Sequence, residues 1–179
     1  MKFLIALTSL IPFLVFAGNL DLKHDFKDDK GTAVELVQLN EKGPLLIVNI
    51  ATRCGLTGQL DDLEKLYQQY KDKGLRVVGI PTNDFAGQTP EGDAEVAEFC
   101  RLKYGVSFPI VTKQVVVGEA KHPLYAELLK RTESQGKEVS WNFEKFLIAP
   151  KGEGVMRFSP RTLPLSDDLK QAVEKFLKS

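Results

Sequence analysis

The sequence predicts an α/β fold in which a central mixed β-sheet is flanked by helices. Two apolar runs, LLIVNI at residues 45–50 and LRVVGI at residues 75–80, are rich in branched side chains, as strands buried on both faces usually are. An amphipathic stretch lies between them, so that strand, helix and strand follow one another within about 35 residues. This order is typical of a βαβ unit, whose two strands are parallel.

The elements up to the second central strand follow from residue periodicity. Residues 32–38 (TAVELVQ) alternate apolar and polar side chains, which predicts a half-exposed edge strand. The stretch between the two central strands has apolar residues at helical spacing from Leu60 to Tyr70, and Gly74 follows as a stop signal. We therefore expect a helix that packs one face on the sheet.

The rest of the chain predicts a second helical layer, a hairpin and a closing helix. In order, we expect a loop at 81–90, a helix at 95–104, a strand at 108–117, a helix at 123–131, hairpin strands at 143–149 and 155–158, and a helix capped by Ser166. Two βα elements followed by a hairpin and a last helix outline a thioredoxin-like architecture.

The first 17 residues have the pattern of a secretory signal peptide. Lys2 supplies a positive start, residues 3–16 are almost entirely apolar, and Val15 and Ala17 match the small-residue cleavage pattern. The alternative is an uncleaved membrane anchor, but the run is shorter than the roughly 20 apolar residues that a bilayer span needs. We expect cleavage near Ala17 and export to the periplasm or the medium.

Residues 18–179 have the length of one domain. Without Lys2 the chain carries 23 Lys and Arg against 24 Asp and Glu, a net charge close to −1, and like charges form no block. This composition does not suggest a nucleic-acid partner or an anionic membrane surface. The chain is long enough to bury a core without disulfides.

The two cysteines, Cys54 and Cys100, allow two interpretations. An exported protein with two cysteines commonly forms a structural disulfide, and Cys100 lies on the apolar face of its predicted helix. Cys54, however, follows the carboxyl end of a central strand and precedes a helix, where ligands bind in open α/β sheets. The helix start and the neighbouring Arg53 could favour a reactive thiolate there. From the residues alone both interpretations remain open.

Five segments, in order, resemble the glutathione peroxidase family. NIATRCGLTGQ at 49–59 resembles its NxASxCGxTxQ nucleophile motif, and PTNDFAGQTP at 81–90 is similar to its PxNxFxxQEP loop. WNFEKFLI at 141–148 nearly matches its WNFxKFL segment, and YGVSFPIV at 104–111 and RFSPRTLP at 157–164 are similar to two further blocks. The resemblance extends over nearly all of residues 18–179.

The resemblance implies a role for each matched residue. Cys54 would be the peroxidatic nucleophile, and Gln88, Trp141 and Asn142 would complete the catalytic tetrad. The indole N–H and the two side-chain amides are neutral donors that can support a thiolate and a leaving oxygen. Neither a metal nor a cofactor is implied.

The resemblance also implies a reaction cycle. Cys100 lies where family members that use thioredoxin have a resolving cysteine, so a Cys54 sulfenic acid would condense with it and a thioredoxin-like protein or glutathione would reduce the disulfide. Only about 20 residues separate HPLY at 122–125 from WNF, without the insertion that builds subunit contacts in tetrameric relatives. The resemblance therefore implies a monomer with an open site that accepts hydrogen peroxide and organic or lipid hydroperoxides.

Three residues depart from the family's loop pattern. Asp84 replaces the usual Gln, Ala86 the usual Gly and Thr89 the usual Glu, which puts the loop's shape in question.

His24 and His122 are isolated in sequence and are interpreted as ordinary surface residues. A peroxide sensor that passes oxidation to a partner protein and a disulfide-stapled binding module remain alternatives to a thiol peroxidase.

Overall fold

The computed structural model describes residues 18–132 and 137–179. The predicted signal segment, residues 1–17, lies outside the described residues. The elements in chain order are β1 (Phe26–Lys27), β2 (Ala33–Val34), α1 (Leu36–Glu41), β3 (Leu45–Ile50), α2 (Gln59–Tyr70), β4 (Arg76–Pro81), α3 (Asp93–Tyr104), α4 (Pro123–Arg131), β5 (Lys145–Ile148), β6 (Val155–Phe158) and α5 (Asp167–Phe176).

A four-stranded mixed sheet with the order β4-β3-β5-β6 forms the centre of the fold. Strand β3 is parallel to β4 and antiparallel to β5, and β6 pairs antiparallel with the outer side of β5. All six residues of β3 are buried, as its nearly all-apolar run predicts. Strands β1 and β2 form a separate two-stranded hairpin. The predicted mixed sheet is therefore confirmed.

Alternate residues of β3 belong to two different apolar cores. Leu46 and Val48 pack in a cluster with the buried residues of α2, α3 and α5. Leu45 and Ile47 face the opposite cluster, which contains buried residues of α1, α4 and the N-terminal hairpin. Because successive side chains of a strand point to opposite faces, the sheet is covered by helices on both sides. None of the helices in residues 18–132 and 137–179 combines the length and hydrophobicity that a membrane span requires.

Most predicted elements are confirmed within one or two residues at their ends. Both central strands, the helices at 59–70, 93–104 and 123–131, and the hairpin are present. Lys151 and Gly152, at the hairpin turn, have φ values of 57° and 74°, which such a tight reversal requires. Ser166 caps α5 by accepting a hydrogen bond from the Leu169 N–H at 3.5 Å.

The strand predicted at residues 32–38 is wrong beyond its first half. Only β2 is extended, and helix α1 begins two residues after it. The Asn40 side-chain amide donates to the carbonyls of Gly43 and Ala149 at 3.2 and 3.0 Å. The local contact with Gly43 and the long-range contact with Ala149 fix a helical turn that leads directly into β3, and they override the local alternation of side chains.

The strand predicted at residues 108–117 is also wrong. The segment bonds to β4 at two separate points: Gly79 donates to the Pro109 carbonyl at 2.9 Å and accepts from the Val111 N–H at 3.0 Å, and the Gln114 N–H donates to the Pro81 carbonyl at 2.9 Å. Proline has no N–H with which to extend the pairing at Gly79. The segment therefore follows the sheet edge without forming a continuous strand ladder.

Strand β5 buries one cationic side chain, Lys145, whose residue is completely inaccessible to solvent. Its ammonium group donates to the Gln59 side-chain oxygen at 2.5 Å and to the carbonyls of Pro160 and Thr162 at 3.1 and 2.6 Å. Burial lowers the pKa of Lys145 to about 7, and the charge of Glu144 only partly opposes this. The unfolded chain therefore holds its Lys145 proton to higher pH than the folded protein does.

We predict that Lys145 makes the free energy of unfolding rise with pH. From about pH 7 to about pH 9 the unfolded state binds one more proton at Lys145, so increasing pH favours the folded state. Above about pH 9 the raised pKa of Cys100 acts in the opposite direction, because the folded state then keeps a cysteine proton that the unfolded state loses. Below about pH 7 both states are charged and this contribution is absent. Denaturant unfolding at several pH values should show the rise in the wild type and in Lys175→Met, an exposed-lysine control, but not in Lys145→Met. Equal pH dependence in the wild type and Lys145→Met would contradict the depressed pKa.

Candidate active site

Cys54 lies in the turn between the carboxyl end of β3 and the start of α2, and it is partly exposed. The Leu56 N–H points at its sulfur at 3.4 Å. The Thr57 hydroxyl accepts from the Cys54 N–H at 3.0 Å and donates to the Ala51 carbonyl at 2.9 Å. Thr57 therefore holds the turn closed, and a backbone donor faces the sulfur where negative charge would reside on a thiolate.

The cation expected beside Cys54 is directed elsewhere. The Arg53 guanidinium is paired with Glu91, with 2.7 Å between Nε and Oε1. Burial alone would raise the pKa of Glu91, but hydrogen bonds from Thr52 and Arg53 and from the backbone lower it. Glu91 is therefore ionised at neutral pH and attracts Arg53. The prediction that Arg53 helps to form the thiolate has no contact to support it.

Gln88 is tied to the chain directly before Cys54. Its carbonyl accepts from the Arg53 N–H at 3.0 Å and from the Thr52 hydroxyl at 3.2 Å. The same hydroxyl donates to the Glu91 carboxylate at 2.6 Å. The loop that carries Gln88 is therefore fixed against the Cys54 turn at two points.

The three departures in this loop each have a structural setting. Ala86 has φ 53°, a left-handed conformation that favours the glycine usual in the family. Asp84 accepts from the Val116 N–H at 2.6 Å, and the Thr89 N–H donates to Asn83 at 2.8 Å. The loop accommodates all three residues while Gln88 remains next to the Cys54 turn.

Asn49, in strand β3, fixes the turn that carries Trp141 and Asn142. Its side-chain amide donates to the Trp141 carbonyl at 2.9 Å, and its own carbonyl accepts from the Phe143 N–H at 2.7 Å. Phe143 has φ 67°, a backbone conformation that costs of order 1–3 kcal/mol for a bulky residue. The two bonds flank Asn142 on either side and hold this strained turn against the central strand.

Asn142 and Gln88 are in direct contact, although 54 residues separate them in sequence. The Asn142 side-chain nitrogen donates to Gln88 Oε1 at 3.0 Å, and Asn142 is completely buried. This bond occupies the oxygen of the Gln88 amide, so its N–H groups remain available as donors. The structure thus brings together two of the predicted site residues directly and connects Gln88 to the Cys54 turn.

Trp141 lies at the surface of this region. Trp141 is 38% exposed, and its indole ring packs against the Phe85 ring with 5.4 Å between the ring centroids. A cleft of about 520 Å³ runs past the indole, lined by Leu56, Ser140, Trp141, Ser159, Pro160 and Arg161. Since Leu56 also donates to the Cys54 sulfur, the cleft adjoins the Cys54 turn.

Cys100 has an environment very different from that of Cys54. It is buried on α3 and packs in the same apolar cluster that Cys54 borders. Burial raises the pKa of the Cys100 thiol to about 12, and the Arg101 charge opposes this only in part. Both cysteines are free thiols in the structure. Cys100 is therefore protonated at neutral pH, and Cys54 is the accessible thiol.

The two histidines are neighbours and not isolated residues. Their ring centroids are 5.2 Å apart, and Phe26 packs against His122. Burial, followed by the proximity of His24, lowers the pKa of His122. Within residues 18–132 and 137–179, no three His, Cys, Asp or Glu side chains cluster in a way that could hold a metal ion.

Sequence reasoning missed Asn49, Thr57 and Lys145 as residues that organise the site. Asn49 interrupts, and Lys145 begins, a strand that is otherwise buried and apolar. A polar residue in such a run must find a hydrogen-bond partner, and this signal could have identified both. Thr57 lies within the nucleophile motif itself, three residues after Cys54.

Comparisons with known proteins agree with this arrangement. The glutathione peroxidase family model matches residues 22–130. The Saccharomyces cerevisiae glutathione peroxidase-like peroxiredoxin HYR1 is 43% identical over 155 residues, which cover 84% of this chain and 92% of the yeast protein. The crystal structure of T. cruzi GPX1 has a TM-score of 0.69 at 31% identity, covering 87% of this chain and 95% of that one.

A more distant match concerns the fold alone. A thioredoxin-family thiol:disulfide interchange protein from Chlorobium tepidum has a TM-score of 0.59 at 16% identity, covering 86% of this chain and 92% of that one. The predicted thioredoxin-like fold is therefore confirmed. From the family model, the yeast relative and the structural match, we conclude that the chain belongs to the glutathione peroxidase family and is a peroxidase.

Proposed function

We propose that this chain reduces hydrogen peroxide and organic or lipid hydroperoxides through a thiol cycle that begins at Cys54. The observation that carries the proposal is the contact between Asn142 and Gln88 next to the Cys54 turn. The contact joins amide groups from two distant segments, and the Gln88 backbone is bonded to the turn that carries Cys54, which supports a shared site. Trp141 supplies an indole N–H at the edge of the adjoining cleft.

In the first step the Cys54 thiolate attacks one oxygen of the hydroperoxide. A new S–O bond forms, the O–O bond breaks, and the departing alkoxide takes a proton to leave as an alcohol, or as water when the substrate is hydrogen peroxide. Cys54 is thereby oxidised to a sulfenic acid. Negative charge moves from sulfur to oxygen in this step, so neutral donors from Gln88, Asn142 and Trp141 can stabilise it throughout.

In the second step Cys100 resolves the sulfenic acid. The two sulfurs form a disulfide and release water. Cys100 must first leave the apolar core and lose its proton, so we propose that α3 opens locally around it. Cys100 belongs to the apolar cluster against which Cys54 packs, and this supports the pairing. A local opening of α3 within this cluster could bring the two sulfurs together without unfolding the sheet.

In the third step a dithiol reductant restores both thiols by thiol–disulfide exchange. We propose a thioredoxin-like protein, with glutathione as the alternative, because Cys100 gives the enzyme an internal disulfide that a dithiol can reduce. The yeast relative bears the name peroxiredoxin, which accords with such a cycle. The short connection between α4 and the Trp141 turn supports a monomer.

Substitution of the two cysteines separates these steps. We expect Cys54→Ser to abolish peroxide consumption with every reductant, because no other accessible thiol replaces it. Cys100→Ser should still consume about one equivalent of peroxide per chain, but thioredoxin-driven turnover should fall by at least about a hundredfold, since the disulfide cannot form. Peroxide-dependent oxidation of a coupled thioredoxin system measures both.

Each outcome assigns a role. Undiminished turnover in Cys54→Ser would contradict the peroxidatic role, and undiminished thioredoxin-driven turnover in Cys100→Ser would remove Cys100 from the cycle. A wild-type protein that is oxidised at Cys54 but turns over with neither reductant, and that forms a mixed disulfide with one partner protein, would be a peroxide sensor.

We further propose that the chain is exported and cleaved after Ala17. The packed fold begins close to that point: Leu20 is buried and its N–H donates to the Gly152 carbonyl at 2.9 Å. Arg131 binds the carbonyls of Gly18 and Asn19. The residues directly after Ala17 therefore take part in the described fold, which supports a cleavage point before them.

Expression of the full chain in a bacterial host tests this proposal. Fractionation followed by mass spectrometry should find a chain that begins at Gly18 outside the cytoplasm. Replacement of Ala17 with Arg should block cleavage, because small residues are needed at this position. A wild-type chain retained with Met1 in the cytoplasm would contradict export.

A further inference from the structure

One wall of the cleft beside Trp141 is a short surface segment, residues 159–162. Inside the segment the Thr162 N–H donates to the Ser159 carbonyl at 3.1 Å, so its backbone is turned on itself. Pro160 is buried, while Ser159 and Arg161 are exposed at the rim of the cleft. A short surface segment of this kind needs hydrogen bonds from the protein interior to hold it in one conformation.

Lys145 and Gln59 supply that support. Within the described part of the chain, the side-chain hydrogen bonds that reach residues 159–162 from elsewhere come from these two residues. Lys145 donates to the carbonyls of Pro160 and Thr162, and Gln59 donates to the Pro160 carbonyl at 2.8 Å. Lys145 also donates to the Gln59 side-chain oxygen, so the two side chains act as one unit.

The position of Lys145 is costly for stability alone. Among residues 18–132 and 137–179 no carboxylate lies within hydrogen-bond distance of its ammonium, and the neighbouring Glu144 is engaged with Arg157 and with Ser140. The flanking strand residues Phe146 and Leu147 are apolar and buried, and an apolar residue would suit this place. In its protonated form Lys145 has three N–H groups for three acceptors. Two of these are the carbonyls of Pro160 and Thr162 in the cleft wall, and the third is the side-chain oxygen of Gln59, which also bonds to the wall.

We propose that Lys145 is a positioning residue that holds residues 159–162 as the wall of the binding site for the organic group of a hydroperoxide. This inference rests on the peroxidase function proposed above. Lys145 touches neither the peroxide nor Cys54; it acts through the carbonyls of Pro160 and Thr162.

The geometry predicts that this wall matters more for large peroxides than for small ones. Leu56, whose N–H faces the Cys54 sulfur, lines the cleft together with Trp141 and Pro160. Because the cleft adjoins the Cys54 turn at Leu56, the proposal assigns it to the organic substituent of a hydroperoxide that reacts at Cys54. Hydrogen peroxide has no such substituent and reaches Cys54 without contacting the wall.

The test compares two peroxides in three proteins. Second-order rate constants for oxidation of Cys54 are measured with hydrogen peroxide and with cumene hydroperoxide, in the wild type, Lys145→Met and the exposed control Lys175→Met. In Lys145→Met we expect the ratio of the cumene hydroperoxide rate to the hydrogen peroxide rate to fall by about tenfold. In Lys175→Met the ratio should equal that of the wild type.

Gln59→Met provides a second variant if Lys145→Met does not fold. It removes the donor to the Pro160 carbonyl and one acceptor of Lys145, so the ratio should fall in the same direction by about threefold. Trp141 is the sole tryptophan of the chain, so its fluorescence reports directly on the cleft. Quenching of this emission by a neutral quencher should increase in both variants as the wall loosens.

The outcomes distinguish this inference from the function on which it rests. An equal loss of rate with both peroxides would overturn it, because a general structural defect does not select between substrates. An unchanged ratio in a folded Lys145→Met protein would also overturn it. A wild-type Cys54 that reacts with neither peroxide would instead overturn the proposed peroxidase function, before any variant is compared.

Discussion

The candidate site depends on the two hydrogen bonds between Asn49 and the turn from Trp141 to Phe143. Strand β3 ends four residues before Cys54, and the same strand carries Asn49. One rigid element therefore sets the position of the nucleophile and of the donors that serve it. Because β3 lies between β4 and β5 and is buried on both faces, it can hold Phe143 in a left-handed conformation that would not persist alone.

The two cysteines have opposite environments, and the hydrogen-bond donor that the described residues direct at the Cys54 sulfur is a neutral backbone N–H. Cys54 is partly exposed and faces a backbone N–H, whereas Cys100 is buried and its pKa is raised by burial. The first is accessible to a peroxide, whereas the second is shielded in the apolar core. Arg53 is held away by Glu91, so the donors around the reaction are neutral groups that keep their protonation as charge moves.

The core of the fold follows from the sequence because its elements are strongly periodic or strongly apolar. The β3–α2–β4 unit and the closing hairpin and helix have local signals that the packing reinforces. The strands predicted at 32–38 and 108–117 are not formed as expected. In the first case, Asn40 of α1 bonds to the distant Ala149 carbonyl. In the second, Pro109 has no N–H with which to extend the pairing with β4. Local alternation of side chains cannot register either effect.

Gln88, Trp141 and Asn142 were predicted as site residues by resemblance, since none is distinctive by its own spacing, whereas Cys54 was also a candidate because of its place between a central strand and a helix. Their positioning residues were not found, because each acts across a long sequence separation. Asn49 reaches Trp141 over 92 residues, and Lys145 reaches Gln59 over 86. The only local signal is a polar side chain in an apolar strand, which shows that a partner exists but not where it lies.

The measurement that tests this account most directly compares Asn49→Asp with Asn40→Asp. Both asparagines are buried and both donate to backbone carbonyls, but Asn40 lies away from the site, at the turn before β3. The rate of Cys54 oxidation by hydrogen peroxide should fall by about a hundredfold in folded Asn49→Asp, with a shifted Trp141 emission, because the donors are displaced. Asn40→Asp should retain both properties. Equal rates in the two folded variants would contradict the claim that β3 assembles the site through Asn49.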